Sequence, residues 1–84
     1  MSLIGTYLRN CGELTRFCSR NGWIDEDSVR FTIVMETGNE IIVNIEFDEL
    51  LEDEHGNPSG RITCRGQLLL YTDRYGQIFR AEAL

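Results

Sequence analysis

The stretch Val29-Arg-Phe-Thr-Ile-Val-Met-Glu-Thr-Gly-Asn-Glu-Ile-Ile-Val-Asn-Ile-Glu-Phe47 decides the fold. Large apolar side chains fall at every second residue, Val29, Phe31, Ile33 and Met35 before Thr37-Gly38-Asn39 and Ile41, Val43, Ile45 and Phe47 after it. This two-residue period and the central turn predict a β-hairpin with one apolar face. Pairing residues whose numbers sum to 76 sets Met35 against Ile41, Ile33 against Val43, Phe31 against Ile45 and Val29 against Phe47. A slip of one residue would send each of them to the other face, so the pattern itself fixes the register. On the far face the same register pairs Val34 with Ile42, Thr32 with Asn44 and Arg30 with Glu46, and leaves Glu36 facing Glu40 beside a three-residue loop. Gly38 or Asn39 is expected to take positive φ there.

The apolar row needs a cover, and the segment before it supplies one. At about 100° per residue, residues 3–20 bring Leu3, Ile4, Tyr7, Leu8, Cys11, Leu14, Phe17 and Cys18 into one half of a helical wheel. Adjacent apolar pairs such as Tyr7 with Leu8 would split across a sheet, whereas on a helix they widen one stripe. Ser2 is the expected N-cap and Asn21-Gly22-Trp23 the expected stop, with Gly22 left-handed. Gly5 and Gly12 each weaken the helix by about 1 kcal/mol relative to Ala, so packing on the sheet must hold it.

Beyond the hairpin, Asp48 is expected to cap one or two helical turns through Glu52, ending near Gly56. A third strand is expected from about Arg61 to Tyr71, with Ile62, Cys64, Leu68 and Leu70 inward. Asp73-Arg74-Tyr75-Gly76 turns the chain into a last strand from Gln77 to Ala83. A sum of 149 pairs Leu70 with Phe79 and Leu68 with Ala81 inward, and Tyr71 with Ile78 outward. The expected architecture is α+β, an N-terminal amphipathic helix on one face of a four-stranded antiparallel meander with a short helical turn between strands 2 and 3, in one small domain of residues 1–84.

The chain has 84 residues, three cysteines and a net charge of −6. No apolar run reaches the roughly 18 to 20 residues needed to cross a bilayer, and no signal-peptide pattern opens the chain, so cytoplasm is the expected location and no membrane contact is expected. Cys11, Cys18 and Cys64 fall on predicted core faces, as packed thiols rather than a disulfide framework. Cys11 and Cys18 lie too far apart along one helix to share an ion without another element between them. His55, within Glu52-Asp53-Glu54-His55-Gly56, lacks the alternating oxygen ligands of a calcium loop and reads as solvated. No nucleophile elbow, phosphate loop, zinc-protease pattern or dinucleotide fingerprint occurs. The expectation is no catalytic residue, no metal and no cofactor.

Charge is polarised along the chain. Residues 1–20 hold three Arg and one Glu, residues 21–60 one Arg and eleven acids, and residues 61–84 four Arg and two acids. All eight basic residues are Arg, the cation suited to bidentate pairing, although genome composition accounts for that equally well. Arg9, Arg16 and Arg20 form a basic ridge opposite the apolar stripe of the helix; Asp48, Glu49, Glu52, Asp53 and Glu54 form an acidic segment. The sheet face away from the helix is expected to present Val34, Ile42, Leu69, Tyr71 and Ile78, ringed by Arg30, Arg61, Arg65, Arg80, Glu46 and Glu82. An apolar centre of this kind marks an association site unless Trp23 or Leu50 and Leu51 fold over it. The preferred functional expectation is a small acidic non-enzymatic protein-binding or regulatory module that associates through this face and the acidic segment, as a homodimer or with another protein, in the manner of inhibitors from phage or mobile elements. The alternatives are a nucleic-acid binder using the Arg and Tyr side chains of the sheet, which the net charge disfavours, and an accessory subunit of an enzyme.

Overall fold

The computed structural model describes residues 3–18 and 22–84. Four strands, β1 (Trp23–Glu36), β2 (Glu40–Glu52), β3 (Pro58–Thr72) and β4 (Ile78–Ala83), form one antiparallel sheet in the order β1-β2-β3-β4. Three of them have 13 to 15 residues, which draws the molecule out to 48 × 21 × 17 Å. The alternation of β2 puts Ile41, Val43, Ile45 and Phe47 on the inner face, where they form the core with Cys64, Leu68 and Leu70 of β3 and with Leu8 and Leu14 from the N-terminal segment.

That segment is not one rod. A seven-residue helix α1 (Leu3–Arg9) gives way at Asn10 and Cys11 to a 3-10 helix over Gly12–Phe17. The amides of Asn10 and Cys11 donate to the carbonyls of Tyr7 and Leu8, both at 3.1 Å, which tightens and ends the first helix. Gly12, a poor helix former, follows at once. On a straight helix Leu8 and Leu14 would point about 120° apart; broken here, the chain turns both inward, and they are 0% and 1% exposed. Leu3 does not join the stripe and is 70% exposed. The expected cap Ser2, and Asn21 of the expected stop, lie outside the described residues. Positive φ among the described residues falls at Gly56, Gly60 and Gly76, and the turn expected at Asn21-Gly22 rests on a residue outside them.

The predicted register of the first hairpin holds over Arg30–Ile33, which face Glu46–Val43. Between Ile33 and Met35 a bulge at Val34 shifts the pairing by one, so that Met35 faces Ile42 and Glu36 faces Ile41. The shift separates Glu36 from Glu40, which now lies beside Tyr71 of β3. It also leaves Gly38-Asn39 as a two-residue loop, closed by the Thr37 amide donating to the Glu40 carbonyl at 2.8 Å, with no positive φ.

The expected helical turn after Asp48 is a strand. Its residues pair in order with β3 as far as Leu51, Asp48 with Thr63, Glu49 with Ile62 and Leu50 with Arg61, before an irregularity at Glu52, and this ladder overrides the local helical signal. The turn follows at Asp53-Glu54-His55-Gly56-Asn57 and has the same form as Asp73-Arg74-Tyr75-Gly76-Gln77. In each, the Asp Oδ1 accepts from the amides two and four residues on, at 2.8 to 3.0 Å, and the glycine sits at φ +80°. The second hairpin pairs two residues further along than predicted, Leu70 with Ala81 and Leu68 with Ala83, and an irregularity beside Tyr71 sets Thr72 against Ile78. Ile78 therefore packs against the core instead of lying outside, and Phe79, expected inside, is 64% exposed.

β4 reaches only Leu68–Thr72 of β3. Among the described residues no strand flanks Pro58–Gly66 on that side. On the inner face of this stretch the Phe17 ring occupies the space of the missing Gly66 side chain, and a Cβ there would lie 2.4 Å from ring carbons. Gly66→Ala is expected to lower stability by about 1–3 kcal/mol through overpacking. Phe17→Ala should absorb part of that loss in the double variant, giving a non-additive cycle in denaturant unfolding; strict additivity would disprove the contact.

Candidate functional site

The outer face of the sheet is built from the even-numbered residues of β2 and the odd-numbered residues of β3, and it divides into three zones. At one end, the close of β1, the start of β2, the end of β3 and the start of β4 bring together Val34, Met35, Ile42, Leu69, Tyr71 and Phe79. Val34 is 52% and Met35 46% exposed, while Ile42, Leu69 and Tyr71 are half-buried. The Phe79 ring lies 6.4 Å from that of Tyr71, and the Arg80 guanidinium sits 5.4 Å from the Tyr71 ring centroid. Arg80 also pairs with Glu82, whose other oxygen accepts from the Tyr71 hydroxyl at 3.2 Å. Loss of solvation, and then that hydrogen bond, push the Tyr71 phenol above its ordinary value.

The middle zone is polar. Asn44 accepts from Gln67, and Glu46 takes Arg30 on one oxygen and Arg65 on the other, both at 2.7 Å. Arg61 bridges Asp48 at 2.8 Å and Asp25 at 3.2 Å. At the far end Trp23, 66% exposed, pairs with Leu50 and lines a small recess with Leu51, Glu52, Pro58 and Gly60. Neither Trp23 nor Leu50 and Leu51 can reach the Phe79 end, so no described residue roofs it.

Of the residues expected on this face, the structure gathers Val34, Ile42, Leu69 and Tyr71 at one end, places Arg30 and Arg65 in the middle with Glu46, sets Arg80 at the rim, and removes Ile78. Met35 and Phe79 join through the two irregularities, which alternation alone cannot foresee. The acidic segment divides in the same way. Asp48 is engaged by Arg61, Glu52, Asp53 and Glu54 are exposed, and Glu49 is wholly buried. The basic ridge is broken with its helix: Arg9 is exposed, Arg16 pairs with Glu13 at 2.6 Å, and Arg20 lies outside the described residues.

Glu49 is the residue that the sequence reading misplaced most. The period that buries Ile41, Val43, Ile45 and Phe47 continues to 49, and that signal was available. Its Oε2 accepts from the Gly22 amide at 2.8 Å, and its Oε1 lies 3.7 Å from Cys64 Sγ. Cys18 completes the group; its Sγ and those of Cys64 and a Glu49 oxygen all lie within 4.8 Å of one another. Burial, the Glu49 charge and the neighbouring Cys64 together push the Cys18 thiol up to about 11. Cys11 stands apart, its thiol raised chiefly by burial.

Comparison with family models, curated proteins and solved structures finds no match for this chain. No helix among the described residues is long and apolar enough to cross a membrane.

Hydrogen bonds from Arg30 and then Arg65 hold the Glu46 carboxyl below its ordinary value of 4.5. A carboxyl depressed in the folded state adds stability above its unfolded value, and that part is lost as pH falls through the folded one. Glu46→Gln should therefore flatten the acid limb of stability below about pH 4.5 in denaturant midpoints taken across pH; a limb superimposable on the parent's would show that the triad carries none of it.

Proposed function

We propose that this protein acts without catalysis, by protein–protein association through the Val34–Phe79 end of its outer sheet face, and that its partner there is a second copy of the chain. The observation that carries the reading is the grouping of exposed Val34, Met35 and Phe79 around half-buried Ile42, Leu69 and Tyr71. Contiguous apolar surface of this kind costs solubility unless it is covered. A twofold contact buries one patch against itself, and the rim carries both signs in the Arg80–Glu82 pair, so the two copies can face each other with opposite charges available on both sides. Most of the acid lies elsewhere. Asp25, Glu26, Asp27, Glu52, Asp53 and Glu54 sit at the opposite end of a 48 Å molecule, where pairing through the apolar end keeps them apart. All of these but Asp25, which Arg61 engages, form a handle for a basic partner there, which fits a regulatory or inhibitory module. A nucleic-acid role is less well supported, because Arg30, Arg65 and Arg80 are already engaged by Glu46 and Glu82.

Light scattering across a concentration series tests the reading. A dimer is expected, with Leu69→Glu and Phe79→Glu each raising its dissociation constant at least tenfold and Trp23→Glu, at the other end, leaving it unchanged. A parent chain that stays monomeric at every concentration removes the self-association.

A further inference from the structure

Glu49, Cys18 and Cys64 form the one group of metal-ligating side chains among the described residues that the association surface does not use. They come from three separate places in the chain, the end of the 3-10 segment, β2 and β3, and converge in the core. Glu49 is wholly buried, Cys64 is buried beside it, and Cys18 closes the group from the end of the 3-10 segment. From this juxtaposition we propose that Cys18, Cys64 and Glu49 bind a zinc ion.

The donor set suits the ion. Zinc takes thiolate sulfur and carboxylate oxygen in tetrahedral sites, whereas magnesium and calcium require oxygen alone. Bond lengths of about 2.3 Å to sulfur and about 2.1 Å to oxygen place two ligand atoms of a tetrahedron about 3.6 Å apart for sulfur and oxygen and about 3.8 Å apart for two sulfurs. Cys64 Sγ already lies 3.7 Å from Glu49 Oε1, and Cys18 Sγ lies within 4.8 Å of Cys64 Sγ and of a Glu49 carboxylate oxygen. The supporting contacts are in place as well. The Gly22 amide holds Oε2 and so turns Oε1 toward the sulfurs, the role that outer partners play at metal centres. Gly22 has no side chain to obstruct this; a Cβ there would come within 2.8 Å of Glu49 Cγ. Cys18 is only half-buried and provides the way in, leaving the fourth coordination position to water. As the ion enters, each thiol releases its proton to solvent and binds as thiolate.

Cobalt(II), which replaces zinc and colours its thiolate sites, is the probe. Titration of the reduced full-length chain is expected to give a thiolate-to-cobalt charge-transfer band that saturates at one equivalent and disappears on adding zinc. Cys64→Ser and Cys18→Ser should each lower cobalt affinity at least tenfold, and Cys11→Ser, outside the group, should leave it unchanged. Glu49→Gln keeps the side-chain volume and both thiols, and is expected to weaken binding at least tenfold while circular dichroism shows the fold intact. A parent chain that gives no charge-transfer band, a cobalt affinity unchanged in Cys64→Ser or in Cys18→Ser, or an affinity that falls in Cys11→Ser overturns the proposal and leaves the three side chains as a packed hydrogen-bonding group.

Discussion

The fold depends on the closure of the β2 apolar row by Leu8 and Leu14. A two-stranded hairpin is marginal in water, and even four strands need one face covered before the sheet is stable by itself. The covering segment here is short, seven α-helical residues and six in a 3-10 turn, yet it buries both leucines completely. Each fully buried leucine contributes roughly 1.5–3 kcal/mol, a large share for a chain whose total stability is of the order of 5–15 kcal/mol. Breaking the helix at Asn10 and Cys11 is what lets both reach the sheet. Helical continuity is given up for packing.

Two irregularities then decide what the apolar end of the outer face looks like. The bulge at Val34 and the irregularity opposite Tyr71 lie at the same end of the sheet, one on each side of the β2–β3 pair. A bulge inserts one residue and so exchanges the faces for everything beyond it. Met35 and Phe79, inward by simple alternation, are carried outward by the pair of them, and Ile78 is carried in. The apolar end of the sheet is thus a product of strand geometry as much as of composition. At the opposite end the ladder of β2 with β3 draws Glu49 inward by the same period-two rule that buries Phe47.

Much of this was legible in the residues. The alternation from Val29 to Phe47 gave the first hairpin and its register over Arg30–Ile33, though an irregularity between Asp25 and Arg30 takes Val29 out of its expected pairing with Phe47, and the later pattern gave the inward faces of Cys64, Leu68 and Leu70 and the order of a meander with a helical cover. The errors have physical causes. The wheel over residues 3–20 counted apolar positions but could not weigh Gly12 and the Asn10-Cys11 break against the gain from burying Leu8 and Leu14. The Asp48–Glu52 segment has helix-forming residues, and only long-range pairing with β3 makes it a strand. The Asp53–Asn57 turn could have been read, since it matches the Asp73–Gln77 turn residue for residue in its Asp and Gly. The approach of Cys18 to Cys64 and Glu49 could not, because it depends on where three distant segments cross.

Among the described residues no strand covers the flank of β3 below β4, and the side chains along it matter for that reason. The Gln67 carbonyl accepts from the Leu84 amide, so by strand alternation the main-chain groups of Arg61, Thr63 and Arg65 point the same way, toward that flank. An open ladder of this sort is a template on which further chains could stack into fibres. Antiparallel docking of two such flanks centred on Thr63 would bring Arg61 of one molecule against Arg65 of the next, and both guanidinium groups stand largely in solvent. Arg61 and Arg65 thus line this edge with charged side chains, a feature that discourages further strands from adding to it.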